Sequence, residues 1–347
     1  MKILLVKPYN RSDHIQPSLG LGYLATALRK ENEVVIIDCI KEKFGIKEFT
    51  DVIIEQNPDL IGFQCYTFDL KIIKEYLGLS KGINSRIITV VGGPHPSAVP
   101  DETMFYFGDK LDFAFIGEAE RGLPQLVALL NNGAKGNFYS VPGLVWRENG
   151  RILKNDCFFE EDLDSLGMPA WDLIHPETYP ESQHGAFYQK FPIAPLMLTR
   201  GCPYQCTFCA GKTVSGSKLR KRSVSNVIDE LKVLYTRHGI REFHIVDDNF
   251  TLDRNYAKAV LRELISQGWD ISIATPNGIR LDALDEELLE LFKKSGLYLV
   301  SLGIESGSDR ILKLMKKSLD VNKIRENVKF IKRFGFDMAG FFILGFP

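Results

Sequence analysis

This chain lacks an excess of charge of either sign: 43 lysines and arginines stand against 44 aspartates and glutamates, a formal charge of −1. That balance gives no footing for nucleic acid or for an anionic membrane surface. Long apolar runs are lacking too, and none reaches the roughly 20 residues needed to cross a bilayer. No basic, apolar leader is expected, since Met1 runs at once into an expected strand, Ile3–Val6. The expectation is a soluble cytoplasmic protein with reduced thiols and no disulfides. At 347 residues, two domains with substantial cores are expected.

Cysteine is sparse, with six in all. Cys39, Cys65 and Cys157 are scattered as core cysteines are. The other three crowd into Leu198-Thr-Arg-Gly-Cys-Pro-Tyr-Gln-Cys-Thr-Phe-Cys-Ala210, where Cys202, Cys206 and Cys209 form a CxxxCxxC array after an apolar strand. A structural zinc site wants four ligands at fixed spacing, and His184 and His238 are too distant to supply one. Three thiolates suit three corners of a [4Fe–4S] cubane, which ordinarily takes four cysteines. The missing fourth leaves one iron open, and an open iron implies chemistry more than electron storage.

Apolar runs alternate with helical segments along both halves. Ile3–Val6, Val34–Ile37, Leu60–Gln64, Ile87–Val91 and Phe113–Ile116 read as strands, with helices over Leu19–Arg29, Lys47–Gln56, Leu70–Ser80 and Glu120–Asn131 between them. This α/β pattern predicts a doubly wound parallel sheet over residues 1–140, with ligands in the loops at the carboxyl ends of its strands. Those loops are Lys7–Ser18, Cys65–Asp69 and Gly92–Asp101. Residues 141–192 read as a hairpin around Asn149-Gly150 and a proline-rich connector. Residues 193–347 give five strand units, near 196–199, 242–246, 271–274, 297–302 and 338–344. They predict a partial parallel (β/α) barrel whose catalytic groups gather at the carboxyl strand ends. The chain stops just after the fifth strand, and the expectation is that more belongs beyond Pro347.

With the cysteine array on the first strand–helix loop of such a barrel, the second half resembles the radical S-adenosylmethionine (SAM) superfamily. The resemblance implies that Cys202, Cys206 and Cys209 hold a [4Fe–4S] cluster whose open iron chelates SAM. Reductive cleavage then gives methionine and a 5′-deoxyadenosyl radical. Phe208 matches the aromatic residue expected near adenine. Asp247 and Asp248, ending the second strand, suit the methionine ammonium. Arg280, after the third, suits its carboxylate. Glu305, in Gly303-Ile-Glu-Ser-Gly307 after the fourth, suits the ribose hydroxyls. The basic stretch Lys218–Arg222 reads as a solvated or structural run.

The first half resembles the cobalamin-binding domain fused to many of these enzymes. Gly92 and Gly93 match the glycine pair that lets the nucleotide tail approach backbone, and Cys65-Tyr66-Thr67 lies twenty-six residues earlier, the fingerprint interval. Leu19-Gly-Leu-Gly22-Tyr23 also looks like the fused family. Aligning the older Asp-x-His-x-x-Gly fingerprint on Gly22 puts Leu19 at the histidine and Pro17 at the aspartate, so no histidine is offered to cobalt there. His14, beside Asp13, reads as an ordinary loop histidine. The resemblance implies methylation of an unactivated carbon or phosphorus centre, or cyclisation or rearrangement, with SAM, cobalamin and an external one-electron donor such as flavodoxin or ferredoxin, under anaerobic conditions. Two other readings stand beside it: a methylthiotransferase, which needs a second cluster on three N-terminal cysteines, and a non-catalytic protein that binds cobalamin or the cluster.

Overall fold

Short runs of Val, Ile, Leu and Phe form the strands of the first unit, as β-propensity favours. In this computed structural model, which describes residues 1–11, 15–133 and 137–346, they are β1 (Lys2–Lys7), β2 (Glu33–Asp38), β3 (Leu60–Gln64), β4 (Ile88–Gly92), β5 (Phe113–Phe115), β6 (Leu144–Glu148) and β7 (Arg151–Lys154). They join in the order β2-β1-β3-β4-β5-β6-β7. The first five are parallel and the last two antiparallel. Helices α1 (Leu19–Leu28), α2 (Ile46–Gln56), α3 (Leu70–Ile83), α4 (Pro94–Ala98), α5 (Pro100–Phe107) and α6 (Gly122–Asn131) cross between or follow them. The pleat separates two cores: Leu4 and Val6 pack with Phe49, Ile73 and Tyr76, while Ile3 and Leu5 pack with Leu21, Ala25 and Leu126. The winding reverses between β1 and β3, and the crevice at that reversal is where such sheets take ligands.

The connector expected at 141–192 is divided. Its hairpin, β6–β7, extends the sheet, because β6 pairs with β5 through Phe113 and Trp146, Ala114 and Val145. Residues 165–175 also belong to the first unit, and they carry a short helix, α7 (Trp171–Ile174). Ala170 N–H donates to the Gly22 carbonyl at 3.1 Å. A Cβ on Gly22 would stand 2.7 Å from Ile174 and 2.8 Å from Pro169. The bare glycine is what lets this segment seat on α1.

The second unit comprises 162–164, 176–212 and 217–347. Its strands are β8 (Ile193–Leu196), β9 (Thr199–Arg200), β10 (Arg220–Lys221), β11 (Glu242–Ile245), β12 (Ser272–Ile279), β13 (Leu297–Glu305) and β14 (Asp337–Phe342). Five form a parallel sheet in chain order, β8-β11-β12-β13-β14. Short helix α8 (Gly211–Ser215) follows the cysteine loop, and α9 (Val224–Arg237), α10 (Arg254–Ser266), α11 (Glu286–Lys294), α12 (Asp309–Leu314) and α13 (Val321–Lys332) supply the connections. Ser223, Asp253, Asp285 and Asp320 cap four of them by accepting a backbone N–H three residues on.

Two strands run further than the sequence suggests. β12 continues through Asn277-Gly-Ile, absorbing the excess in a register shift between Thr275 and Ile279, and β13 continues to Glu305 past a shift between Gly303 and Glu305. Such bulges re-aim side chains at the ends of strands. The basic stretch is structural: Arg220 and Lys221 pair with Arg200 and Thr199. Buried Arg222 bonds Glu230 and the Met197 carbonyl.

At the amino end of the sheet, Glu242 is fully buried and fully used. Its Oε2 accepts the N–H groups of Gln189 and Lys190 at 2.7 and 2.6 Å. Its Oε1 accepts the Tyr298 hydroxyl at 2.8 Å and lies 3.0 Å from His244 Nε2. Among the described residues no helix is long and apolar enough to cross a membrane.

Candidate active site

The cysteine loop leaves β8 and is fixed before it starts. Buried Asp247 accepts the N–H groups of Leu198 and Thr199 at 2.8 Å each and the Thr199 hydroxyl at 2.7 Å. Burial pushes its carboxyl up to about 7 against those bonds. Both of its oxygens are thus spent on the strand end, and Asp247 positions the loop instead of reaching a ligand. Its neighbour Asp248 does face the loop: Oδ2 accepts Gly201 N–H at 3.3 Å. A Cβ on Gly211 would come within 3.6 Å of Asp248 Oδ1 and 3.3 Å of Cys209 Sγ. Adjacent residues at a strand end point to opposite sides, so the two carboxylates divide the work.

Cys202 and Cys206 are partly buried and Cys209 is exposed. Asn249 Nδ2 lies 3.8 Å from Cys202 Sγ, and Gly211 N–H points at Cys209 Sγ from 3.3 Å. Among the described residues no three His, Cys, Asp or Glu side chains converge as a single ion would require. A cubane asks something else, since each thiolate meets a different iron. Three thiols on one turn, with N–H donors aimed at two of the sulfurs, fit that group. Buried Asn249 Oδ1 has no hydrogen-bond partner among the described residues, so a polar acceptor beside Cys202 stands ready for a donor.

Two further strand ends brace the loop. Arg280 stacks on Tyr204, 3.7 Å from the ring centroid, and grips Asp282 with Nε at 3.0 Å and Nη2 at 2.9 Å. Its Nη1 donates to the Lys317 carbonyl at 3.2 Å. The side chain expected to grasp SAM's carboxylate bidentately has given that fork to Asp282. Thr207 N–H donates to the Met315 carbonyl at 3.0 Å, docking the turn after α12 against the loop. That turn delivers Lys317, whose buried ammonium bonds Glu305 Oε1 at 2.7 Å. Glu305 holds φ +64°, which a non-glycine residue rarely adopts. Phe208 is partly exposed, with the Lys317 ammonium 5.8 Å from its ring centroid. Burial raises the Cys206 thiol, opposed by the charges of Lys317 and Arg280.

The crevice of the first unit lies at the carboxyl ends of β1, β3 and β4. Ser18 caps α1 and bonds Gln64 at 2.5 Å across the winding reversal. Cys65 is buried, and Gly93, at φ +111°, packs so tightly on it that a Cβ would sit 3.2 Å from its carbonyl oxygen. The Gly93 exception thus serves the β3–β4 contact, while a Cβ on Gly92 would meet only Phe115, at 3.9 Å. Tyr66 stacks on exposed Phe68 with centroids 5.4 Å apart, and Thr67 Oγ1 lies 3.0 Å from His95 Nδ1. An exposed aromatic pair beside a hydroxyl–imidazole pair fits a large planar ligand with a polar tail. Leu19 is buried and offers no ligand atom. Asp13 and His14 lie outside the described residues. Cys39 and Cys65 are buried thiols that burial pushes up to about 12.

A doubly wound sheet with a ligand crevice, and a five-stranded parallel sheet with three cysteines on its first loop, together define a two-cofactor enzyme of the radical type. The comparisons agree. Residues 196–347 match the Radical SAM superfamily, and residues 10–127 match the B12 binding domain. The chain is 32% identical to an uncharacterized methyltransferase, PH0819, of Pyrococcus horikoshii, over all of this chain and 74% of that protein. It is 31% identical to the cytidylyl-2-hydroxyethylphosphonate methyltransferase of Streptomyces wedmorensis, over 95% of this chain and 69% of that one. In fold it is similar to the radical SAM methyltransferase TsrM of Kitasatospora setae, with TM-score 0.80 and 19% identity over 100% of this chain and 68% of that one. The chain belongs to the radical SAM superfamily, in the branch that carries a B12-binding domain. It is an enzyme whose cofactors are a [4Fe–4S] cluster, SAM and cobalamin.

Proposed function

We infer that this enzyme transfers a methyl group to an unactivated carbon or phosphorus centre of a small organic substrate. The observation that carries it is a three-thiol loop braced by acidic and cationic strand ends, on a chain that also holds a B12-type crevice. The names of its 31–32% identical relatives favour methylation over ring closure. When bound, the cofactors supply a radical on the substrate and the methyl group that quenches it.

The protein's part is to hold and to aim. Cys202, Cys206 and Cys209 would carry the cluster, and Asp247 keeps the loop's entrance rigid so the thiols stay in register. Asp248 and Asn249 Oδ1 offer acceptors for SAM's ammonium. Glu305 offers a carboxylate to ribose, and Phe208 a face to adenine. Tyr66, Phe68, Thr67 and His95 would line the cobalamin face of the first unit. An electron donor of the flavodoxin or ferredoxin class and a cytoplasmic, reduced setting complete the reading.

The test is an ultraviolet–visible spectrum of protein purified anaerobically with hydroxocobalamin, alongside an iron count. A corrin band with about four irons per chain supports the pair of cofactors. Iron without corrin would leave a radical SAM enzyme whose first unit binds something else.

A further inference from the structure

The geometry points to Lys317 as the cation that reads the carboxylate of SAM. The inference rests on the SAM-binding reading above and changes which residue performs the recognition. Two cations act on Cys206, Arg280 and Lys317, and they differ in what remains to give. Arg280 has spent Nε and Nη2 on both oxygens of Asp282, Nη1 on the Lys317 carbonyl, and one face on Tyr204. A carboxylate could take its fork only by evicting Asp282. Arg280 therefore serves the shape of the cysteine loop.

Lys317 is in the opposite state. Its ammonium is buried, and among the described residues its one hydrogen-bond partner is Glu305 Oε1. An ammonium carries three donors, so burying it with one bond made leaves two unmet at a desolvation cost. Charged groups this deep are ordinarily paired and fully bonded. The under-bonded ammonium borders Phe208 on the cysteine loop, so an acceptor bound beside that loop would complete it.

The backbone is built around this pair. Glu305 accepts a left-handed φ of +64° beside a register shift, and Gly303 carries no Cβ. One added there would stand 2.8 Å from both Glu305 Oε1 and Lys317 Nζ. Lys316 and Ser318 also adopt positive φ, so the turn flanking Lys317 is bent to bring it inward. Strain gathered around one buried ion pair is the mark of a functional site. A Lys–Glu pair is also charge-complementary to the amino acid end of SAM and its ribose: the ammonium takes the carboxylate while Glu305 is left for hydroxyls.

The test compares two ligands on cluster-loaded protein with iron counted: SAM, and decarboxylated SAM, which keeps the sulfonium, ribose and adenine. Dissociation constants are measured anaerobically by equilibrium dialysis for wild type and Lys317→Met. The variant should lose about thirtyfold for SAM, the worth of one charge-assisted bond, and stay within about twofold for decarboxylated SAM. An equal loss on both ligands, or none on either, overturns the assignment. If Lys317→Met loses iron, Lys317→Gln carries the same comparison, since it keeps polarity without charge. Wild type that holds about four irons yet binds no SAM would sink the reading beneath the inference instead, and is distinct from either outcome at Lys317.

Discussion

The two ends of the five-stranded sheet are built by opposite rules. At the amino end, Glu242 is buried with both oxygens bonded, to two backbone N–H groups, to Tyr298 and to His244. At the carboxyl end the thiols are half-exposed, Asn249 Oδ1 lacks a partner, Lys317 is under-bonded and Glu305 is strained. Satisfied polar groups hold a fold together, and unsatisfied ones await a ligand. The contrast shows that stability and chemistry occupy separate ends of the same strands, as in closed (β/α) barrels.

Substitutions break that separation in a predictable order. Changing any one of Cys202, Cys206 or Cys209 to serine should have the largest effect, taking iron from about four per chain to background while the unfolding midpoint of the iron-free protein stays within about 2 °C. A midpoint that falls by much more would mean the loop is structural. Glu242→Gln should act the other way round. An amide NH2 would replace an acceptor for at least one pair of donors, costing about 3 kcal/mol, or roughly 10 °C in midpoint. Iron bound at low temperature should be unchanged, and iron lost from folded Glu242→Gln protein would erase the distinction between the ends. Gly303→Ala is smaller: the new methyl displaces the Glu305–Lys317 pair, and SAM affinity should fall about tenfold with iron intact.

Much of this was legible in advance, and the limits are physical. The alternation of apolar runs and helices marks both sheets because strands such as β3 and β11 are buried on both faces, and three cysteines in eight residues admit few explanations. The role of Lys317 has no such mark, since it ends a basic run after α12 that reads as a solvated helix terminus. Its burial comes from a turn with two positive-φ residues. Asp247 and Asp248 were inseparable in sequence because only the direction of the strand end tells which faces the loop. Gly22 matches the fused family in sequence, but the room it leaves for Pro169 and Ile174 is unreadable there, because both are distant in the chain. Asn249 carried a faint signal, standing just after the two aspartates in the acidic turn Val246–Phe250.

The smallest effect sharpens the comparison most finely, because it concerns a group on the carboxyl end that behaves like the amino end. Asp247, like Glu242, has both oxygens bonded, yet burial lifts its carboxyl to about 7 from an ordinary value of 3.8. Between those pH values the folded protein retains a proton that the unfolded chain has lost. Folding stability contributed by this group therefore falls as pH rises from about 4 to about 7, and is level above that. Asn at this position cannot titrate, so Asp247→Asn should remove the slope, whatever it does to the absolute stability. Urea unfolding of iron-free protein at intervals from pH 5 to pH 8 reads the difference. Wild type should lose stability relative to Asp247→Asn up to neutrality and then run parallel to it. Curves parallel throughout would mean that the three donors from Leu198 and Thr199 outweigh burial, keeping the carboxylate charged and making this end of the strand as settled as the other.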